Sequence, residues 1–516
     1  MTPLSTLLQK ISNPYTLAVI IFAVFAWHYL KSKSKRSASP PGPRGLPIVG
    51  NLLSLEPELH TYFMGLSRIY GPIVKLQLGS KVSIVVSSPA LARQVLKDHD
   101  VTFANRDVPD AARFASYGGS DIVWNPYGPE WRMLRKVCAL KMLSSTTLDS
   151  VYHFRRREVR QTVAYLFSRP GSSVNLGDQM FLIVANVITN MLWGDTDQNN
   201  ERASLGAKFK KVISEKTELL DQPNLSDFFP SLTRFDLQGL SKRMHGLTLE
   251  LDQIFDKIID GHQKIDGELE SKAEDNNKEY KDFLQFLLKY KDEGDDKIPL
   301  TMTHIKALLI DMVVGGTETS SNSVEFAMAE VINKPEVMIK AQEELDAVVG
   351  KDNIVEESQI PKLPYLYAIM KETMRLHPAL PLLVPHCPSD TCTIGGYTIP
   401  KGSRVFINEW AIHRDPLIWP NPLEFDPKRF MIDNYDYSGN EFTYFPFGSG
   451  RRICAGIGMA ERMFMYSLAT LLHSFHWKLP QKVKLDLTEK FGIVMKLKTP
   501  LVAIPTPRLS DPSLYC

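Results

Sequence analysis

Apolar positions along the chain fall into three kinds of pattern. The first is YTLAVIIFAVFAWHYL, Tyr15 to Leu30, which is apolar apart from Thr16 and His28. As a helix rising ~1.5 Å per residue it approaches the thickness of a thin bilayer core, with Tyr15, Trp27 and Tyr29 near its ends. Lys31, Lys33, Lys35 and Arg36 follow it and no small-residue cleavage site closes it, so the pattern predicts an anchor rather than a secretory signal. The second kind is short alternation: IVKLQLG and SIVVSS, around Ile73 to Ser88, are rich in β-branched residues and predict a hairpin. The third is helical spacing, which dominates thereafter, as in SPALARQVLKDH, GPEWRMLRKVCALKML, Leu205 to Leu220 and Leu240 to Ile265. The expected fold is mainly α with small β-sheets near each end, preceded by one N-terminal transmembrane helix.

The same patterns set the expected domains. Residues 1–14 form a short luminal N-terminus, 15–30 the anchor, 31–50 a basic and proline-rich hinge, and 51–516 one cytosolic body with no division into independent parts. The hinge includes PPGPRGLPIVGN, Pro40 to Asn51, whose prolines restrict φ and make a stiff spacer. The positive flank keeps the body on the cytosolic side, in the endoplasmic reticulum membrane. SKAEDNNKEYK, Ser271 to Lys281, reads as an exposed loop.

Composition narrows the function. Sixty basic against 58 acidic residues among 516 leave a formal charge of +2, which offers no nucleic-acid surface. Five cysteines, Cys138, Cys387, Cys392, Cys454 and Cys516, are odd in number and widely scattered. That excludes a disulfide framework and favours a reducing compartment. Cys387 and Cys392, in PHCPSDTC, lack the partners of a zinc tetrad.

Cys454 stands in a different setting, FPFGSGRRICAGIGMAERM, Phe445 to Met463. Gly448, Gly450 and Gly456 permit tight turns and close approach by something flat. The periodic run Ile457, Met459, Ala460, Met463, Phe464, Leu468 predicts a helix whose free amides and dipole lower the thiol pKa. Such a thiolate suits a nucleophile or an axial metal ligand, and the residues alone leave both open. Three further pieces stand out. Glu372 and Arg375 share a helical face in KETMRLHP, as do Trp131 and Arg135 in GPEWRMLRK. HIKALLIDMVVGGTETSSNSVEFAMAE, His304 to Glu330, is helical in period but carries GGTETSSNS at its centre. Two glycines there cost roughly 1 kcal/mol each, and the hydroxyls compete for backbone carbonyls, so the weak centre predicts a use. Asp311, on the same face one and two turns before Gly315 and Thr319, either bonds to neighbouring protein groups or orients a substrate hydroxyl.

Phe447 to Gly456 resembles the haem-binding loop of the cytochrome P450 family, FxxGxRxCxG, at every specified position. The resemblance implies haem b with Cys454 as axial thiolate, Phe447 packed beside it, and Arg452 on a haem propionate. It implies that Glu372 and Arg375, with Arg429 of FDPKRF, form a structural triad. Trp131 and Arg135 would contact propionates, with His386 of LLVPHCP as a further basic group. The stretch around Gly315 and Gly316 is similar to the family's dioxygen groove, with Glu318 and Thr319 relaying protons to dioxygen as it is reduced. Family geometry makes Phe114, Tyr117, Ile122, Asp311, Leu382, Leu383, Val384, Phe491 and Ile493 the substrate-facing set.

The activity so implied is monooxygenation of a hydrophobic plant metabolite, with NADPH electrons delivered by a partner and not bound by this chain. The implied partners are NADPH-cytochrome P450 reductase, cytochrome b5, dioxygen, a small hydrophobic substrate and membrane lipid. FPFGSGRRICAGIGMAER, MVVGGTETS and NMLWG resemble the plant family numbered 706, which oxidises flavones and sesquiterpenes. Polar SYGGSD and Asp311 favour a flavone hydroxylated on an aromatic carbon; a sesquiterpene is the alternative. An isomerase or dehydratase of the same fold, or a haem-binding sensor, would not need the Glu318–Thr319 pair.

Overall fold

The computed structural model describes residues 39–194, 200–270, 282–293, 297–433 and 435–516. The predicted hairpin forms as β1 (Ile73–Leu78) and β2 (Lys81–Val86), paired antiparallel, with Gly79 at φ +58° turning between them. Strands from far along the chain extend it. These are β3 (Asn105–Arg106), β5 (His386–Cys387) and β8 (Arg404–Ile407), giving the order β1-β2-β8-β5-β3. Near the carboxyl end β12 (Val502–Pro507) lies between β4 (Val174–Asn175) and β9 (Phe475–Lys478). Two small hairpins complete the strands: β6 (Cys392–Ile394) with β7 (Tyr397–Ile399), and β10 (Glu489–Lys490) with β11 (Lys496–Leu497).

Helices make up the remainder. The ones that position the site are α1 (Leu59–Tyr70), α2 (Pro129–Lys136), α3 (Leu176–Trp193), α4 (Asn200–Leu220), α5 (Leu240–Glu270), α6 (Met302–Asn333), α7 (Pro364–Leu376) and α8 (Ile457–Ser474). The 32-residue α6 is the axis of the core and packs against α3, α7 and α8. It starts at a reciprocal cap: Thr301 Oγ1 accepts from the His304 amide, and the Thr301 amide donates to His304 Nδ1. It runs unbroken through GGTETSSNS. The hydroxyls of Thr319, Ser321 and Ser323 donate back to the carbonyls of Gly315, Thr317 and Thr319, so they decorate the ladder rather than interrupt it.

The membrane-spanning part of the expected fold is corrected. Among the described residues no helix is long and apolar enough to cross a membrane. The long core helix α6 carries Lys306, Asp311, Glu318, Glu325 and Glu330 along its course, and its length serves the core. The single-pass endoplasmic-reticulum topology therefore finds no helix to carry it there. Tyr15–Leu30, and the expected loop Ser271–Lys281, lie outside the described residues. The end of the hinge is described, and it is no free spacer. The Lys75 amide donates to Pro41 O, and Asn51 exchanges bonds with Gln77, so the proline arm lies along β1.

Candidate functional site

The loop before α8 is shaped by glycines where nothing else fits. Gly450 has φ +68°, and a Cβ there would sit 2.1 Å from the Leu96 carbonyl oxygen. Gly448 is also left-handed, at φ +72°. The Cys454 amide donates to Phe447 O at 3.0 Å, and the Gly456 amide donates to the Cys454 sulfur at 3.2 Å. Phe447 meets Tyr437 edge-on and packs against the main core. Cys454 is exposed although burial among protein atoms dominates its electrostatics, and we take its setting as the wall of a chamber. Burial pushes its thiol up, against the pull of the Gly456 amide and Arg135. The expected lowering by the start of α8 is thus outweighed by desolvation.

Across the chamber, α6 presents Gly315, where a Cβ would meet nothing within 4 Å. Gly316 does a different job: its Cβ would lie 2.7 Å from Ile188 Cδ1, so this glycine lets α3 approach. Of the two glycines expected to make room for dioxygen, the geometry gives open space to Gly315. Glu318 is half-buried, and burial raises its pKa; Lys496 pulls it down, while Asp221 and Glu218 push it up. Thr319 donates its hydroxyl to Gly315 O at 2.6 Å.

Asp311 meets a partner that the sequence did not announce. Its carboxylate accepts from the Ile122 amide at 2.8 Å and bonds to Asp121. Asp121 in turn caps Trp124 and Asn125. Burial, and then the like charge of Asp121, raise Asp311 well above the usual carboxylate range. Burial raises the pKa of Asp121 as well, to about 6. The other face of Ile122 is equally occupied. Its carbonyl accepts from Trp131 Nε1 and from Arg452 Nη1, both at 3.0 Å.

Arg452 also donates to Ala104 O and Asn125 O, and its guanidinium lies 4.6 Å from the centre of the Trp131 ring. Beside it stands Arg106, on β3, donating to Val384 O and Pro385 O. No local pattern marked Arg106; its register opposite His386 across β3 and β5 brings it in. Burial and the neighbouring Arg452 lower its pKa to about 9, while burial lowers that of Arg452 to about 10. His386 Nδ1–H donates to Phe103 O at 2.8 Å, and burial with Arg106 keeps it neutral. Arg135 is close enough to Cys454 to perturb it.

Below the chamber, Glu372 and Arg375 are fully buried on α7. Arg375 Nε and Nη2 fork onto the Glu372 carboxylate at 2.7 and 2.9 Å, and Arg429 Nε donates to it at 3.2 Å. The Asp426 amide adds a fourth donor, and the carbonyls of His413, Pro422 and Glu424 satisfy Arg375.

The expected substrate-facing residues divide. Phe114 packs on His245, and Tyr117, at φ +50°, gives its hydroxyl to Asp252; both turn towards α5. Leu382 is buried in a cluster with Phe63 and Phe406. Leu383, at φ +51°, lies beside the cysteine loop, and Val384 offers its carbonyl to Arg106. Phe491 stacks on His60, and Ile493 is 38 % exposed beside Asp221.

These residues fit a flat anionic metal macrocycle. An enclosed wall carries one open thiol and one open glycine. Three guanidiniums, those of Arg106, Arg135 and Arg452, stand at the site; Asp121 acts on Arg106 and Arg452, and Arg135 acts on Cys454, so positive charge is available for carboxylates. The family description for cytochrome P450 matches residues 40–504. The chain belongs to the cytochrome P450 family. A flavonoid 3'-monooxygenase of Crocosmia x crocosmiiflora is 39% identical over 96% of this P450 and 97% of its own length. One from Petunia hybrida is 38% identical over 96% and 97%, and a 3,9-dihydroxypterocarpan 6A-monooxygenase of Glycine max is 37% identical over the same shares. A zebra fish cytochrome P450 solved with abiraterone superposes with a TM-score of 0.73 at 26% identity, covering 88% of this P450 and 100% of that chain. This P450 is a haem-thiolate monooxygenase: it carries haem b through an axial cysteine and consumes dioxygen and NADPH-derived electrons. As in the class, a reductase, dioxygen and a small substrate are its partners.

Proposed function

We propose that this P450 hydroxylates an aromatic carbon of a flavonoid. The observation that carries the reading is its end-to-end similarity to flavonoid 3'-monooxygenases from several plants, at 38–39% identity. The finer placement in the plant family numbered 706 rests on the likeness of FPFGSGRRICAGIGMAER, MVVGGTETS and NMLWG alone.

In this reading Cys454 would ligate the haem iron, and Arg106, Arg135, Arg452 and Trp131 would hold the porphyrin carboxylates, with neutral His386 as a neighbour. Haem b so bound supplies the reductive activation of dioxygen. Glu318 and Thr319 bring protons: raised by burial, Glu318 keeps a proton to higher pH than an exposed glutamate and passes it towards the Thr319 hydroxyl. Gly315 leaves room over the reacting atoms, while Ile122, Leu383 and the turn Phe491–Val494 exclude water and shape the guest. Asp311 acts through Ile122 rather than on the substrate hydroxyl. Cytochrome b5 is a second electron donor. The body that does this is the single catalytic domain, 51–516, with the proline arm laid on it.

The test is expression with a plant reductase and a screen of flavonoids against sesquiterpene olefins, scoring spin-state shift and product mass. A flavonoid product one oxygen atom heavier, dependent on NADPH, is expected. A terpene product with no flavonoid binding overturns the substrate; turnover without NADPH overturns monooxygenation.

A further inference from the structure

Asp221 follows the last residue of α4, and its carboxylate reaches a segment 272 residues away. Oδ1 accepts from the Ile493 amide at 2.6 Å. Oδ2 occupies the place of a missing side chain: a Cβ on Gly492 would lie 2.8 Å from it. The turn Phe491–Val494 is therefore shaped to receive this carboxylate. On its other side the same turn is tied to α1, where the Phe491 amide donates to Glu58 Oε2 at 3.0 Å and the Phe491 ring stacks on His60. Beyond it, Asn322 of α6 donates to Met495 O at 3.1 Å, and Lys496 follows. Asn322 is one helical turn from Glu318, and both Lys496 and Asp221 act on the charge of Glu318. The turn is thus joined to α6 through Asn322, and is pinned at its first residue by Glu58, just before α1, and at its third by Asp221.

We propose that Asp221 is a positioning residue for the chamber wall: through the Ile493 amide it holds the Phe491–Val494 turn at the distance from α6 that sets the size of guest admitted. Ile493 is the exposed apolar side chain that this bond aims. The inference deepens the reading of the turn as guest-facing and is independent of whether the guest is a flavonoid. Lys490 and Lys496, on β10 and β11, and Glu218, on α4, face the same carboxylate and set its charge balance, whereas the bond to Ile493 needs only an acceptor oxygen.

The experiment uses haem-loaded full-length protein as D221A, D221N and G492A. Hydrogen–deuterium exchange reads the Ile493 amide, and absorbance titrations read binding of imidazole and of 4-phenylimidazole, which ligate haem iron alike but differ in size. D221A is expected to speed exchange at Ile493 about tenfold or more and to change 4-phenylimidazole affinity several-fold, with imidazole affinity unmoved. D221N keeps an acceptor oxygen and should resemble wild type; G492A pushes the carboxylate away and should resemble D221A. Unaltered exchange in D221A, equal changes for both imidazoles, or D221N as damaged as D221A overturns the proposal. Failure of every flavonoid to turn over bears on the proposed function and leaves these readouts intact.

Discussion

At the scale of single residues, chemistry is decided by what each group is denied. Cys454 is set among protein atoms without being given a strong counter-charge, so its thiol is raised until a metal takes the sulfur. C454H should therefore lose the thiolate-type absorption of the reduced carbon-monoxide complex; persistence of that band would refute Cys454 as ligand. Glu318 is held up by burial, and Lys496 is the charge that restrains it. Removing that charge in K496M raises the Glu318 pKa further, so the alkaline limb of NADPH-to-product coupling should move to higher pH. A shift to lower pH, or none, would show that another acid supplies the protons.

Helices impose their own logic on neighbouring glycines. G316V drives a side chain into Ile188, and calorimetry should show a loss of about 1–3 kcal/mol from overpacking. G315A meets open space and should gain up to ~1 kcal/mol from helix propensity while slowing turnover. On α7, E372A leaves the fully buried Arg375 unpaired, at a cost of about 3–5 kcal/mol, and haem content after purification should fall sharply. The hairpin of β1 and β2, α6 and the helix after Cys454 were legible because each is written in local periodicity. Arg429 was found only through resemblance, and Arg106 was missed, because strand register across hundreds of residues carries no local signal. Asp311 was recognised as out of place, yet its partner Asp121 was invisible for the same reason. Phe114 and Tyr117 were read as guest-facing through resemblance alone; their contacts with His245 and Asp252 lie too far along the chain to be read from local pattern.

Over the whole molecule, α1, α6, α7 and β10 meet at one buried network. His377 bonds to Glu330 at 2.9 Å and to Glu489 at 2.6 Å, with Phe326 stacked on its ring; Arg414 and Trp410 also donate to Glu489. Burial would lower the His377 pKa, but its two carboxylate partners raise it above 6.5. Its stabilising contribution is complete below 6.5 and is lost as pH rises through the folded value. Glu489, resisting burial through Arg414 and His377, stays well below 4.5; its contribution is present above 4.5 and lost as pH falls through the folded value. The contribution of this network to thermal stability should therefore be greatest between about 4.5 and 6.5 and decline at higher pH. The alkaline decline should flatten in H377Q; an unchanged slope would place the titrating group elsewhere. A second junction has a historical consequence. The peptide at Ile122 is gripped by Asp311 on one side and by Trp131 and Arg452 on the other. Any drift at this position that suits a new guest is felt at once by the arginine cradle. Lineages acquiring new substrates would then change the outer turns first and leave this peptide for last.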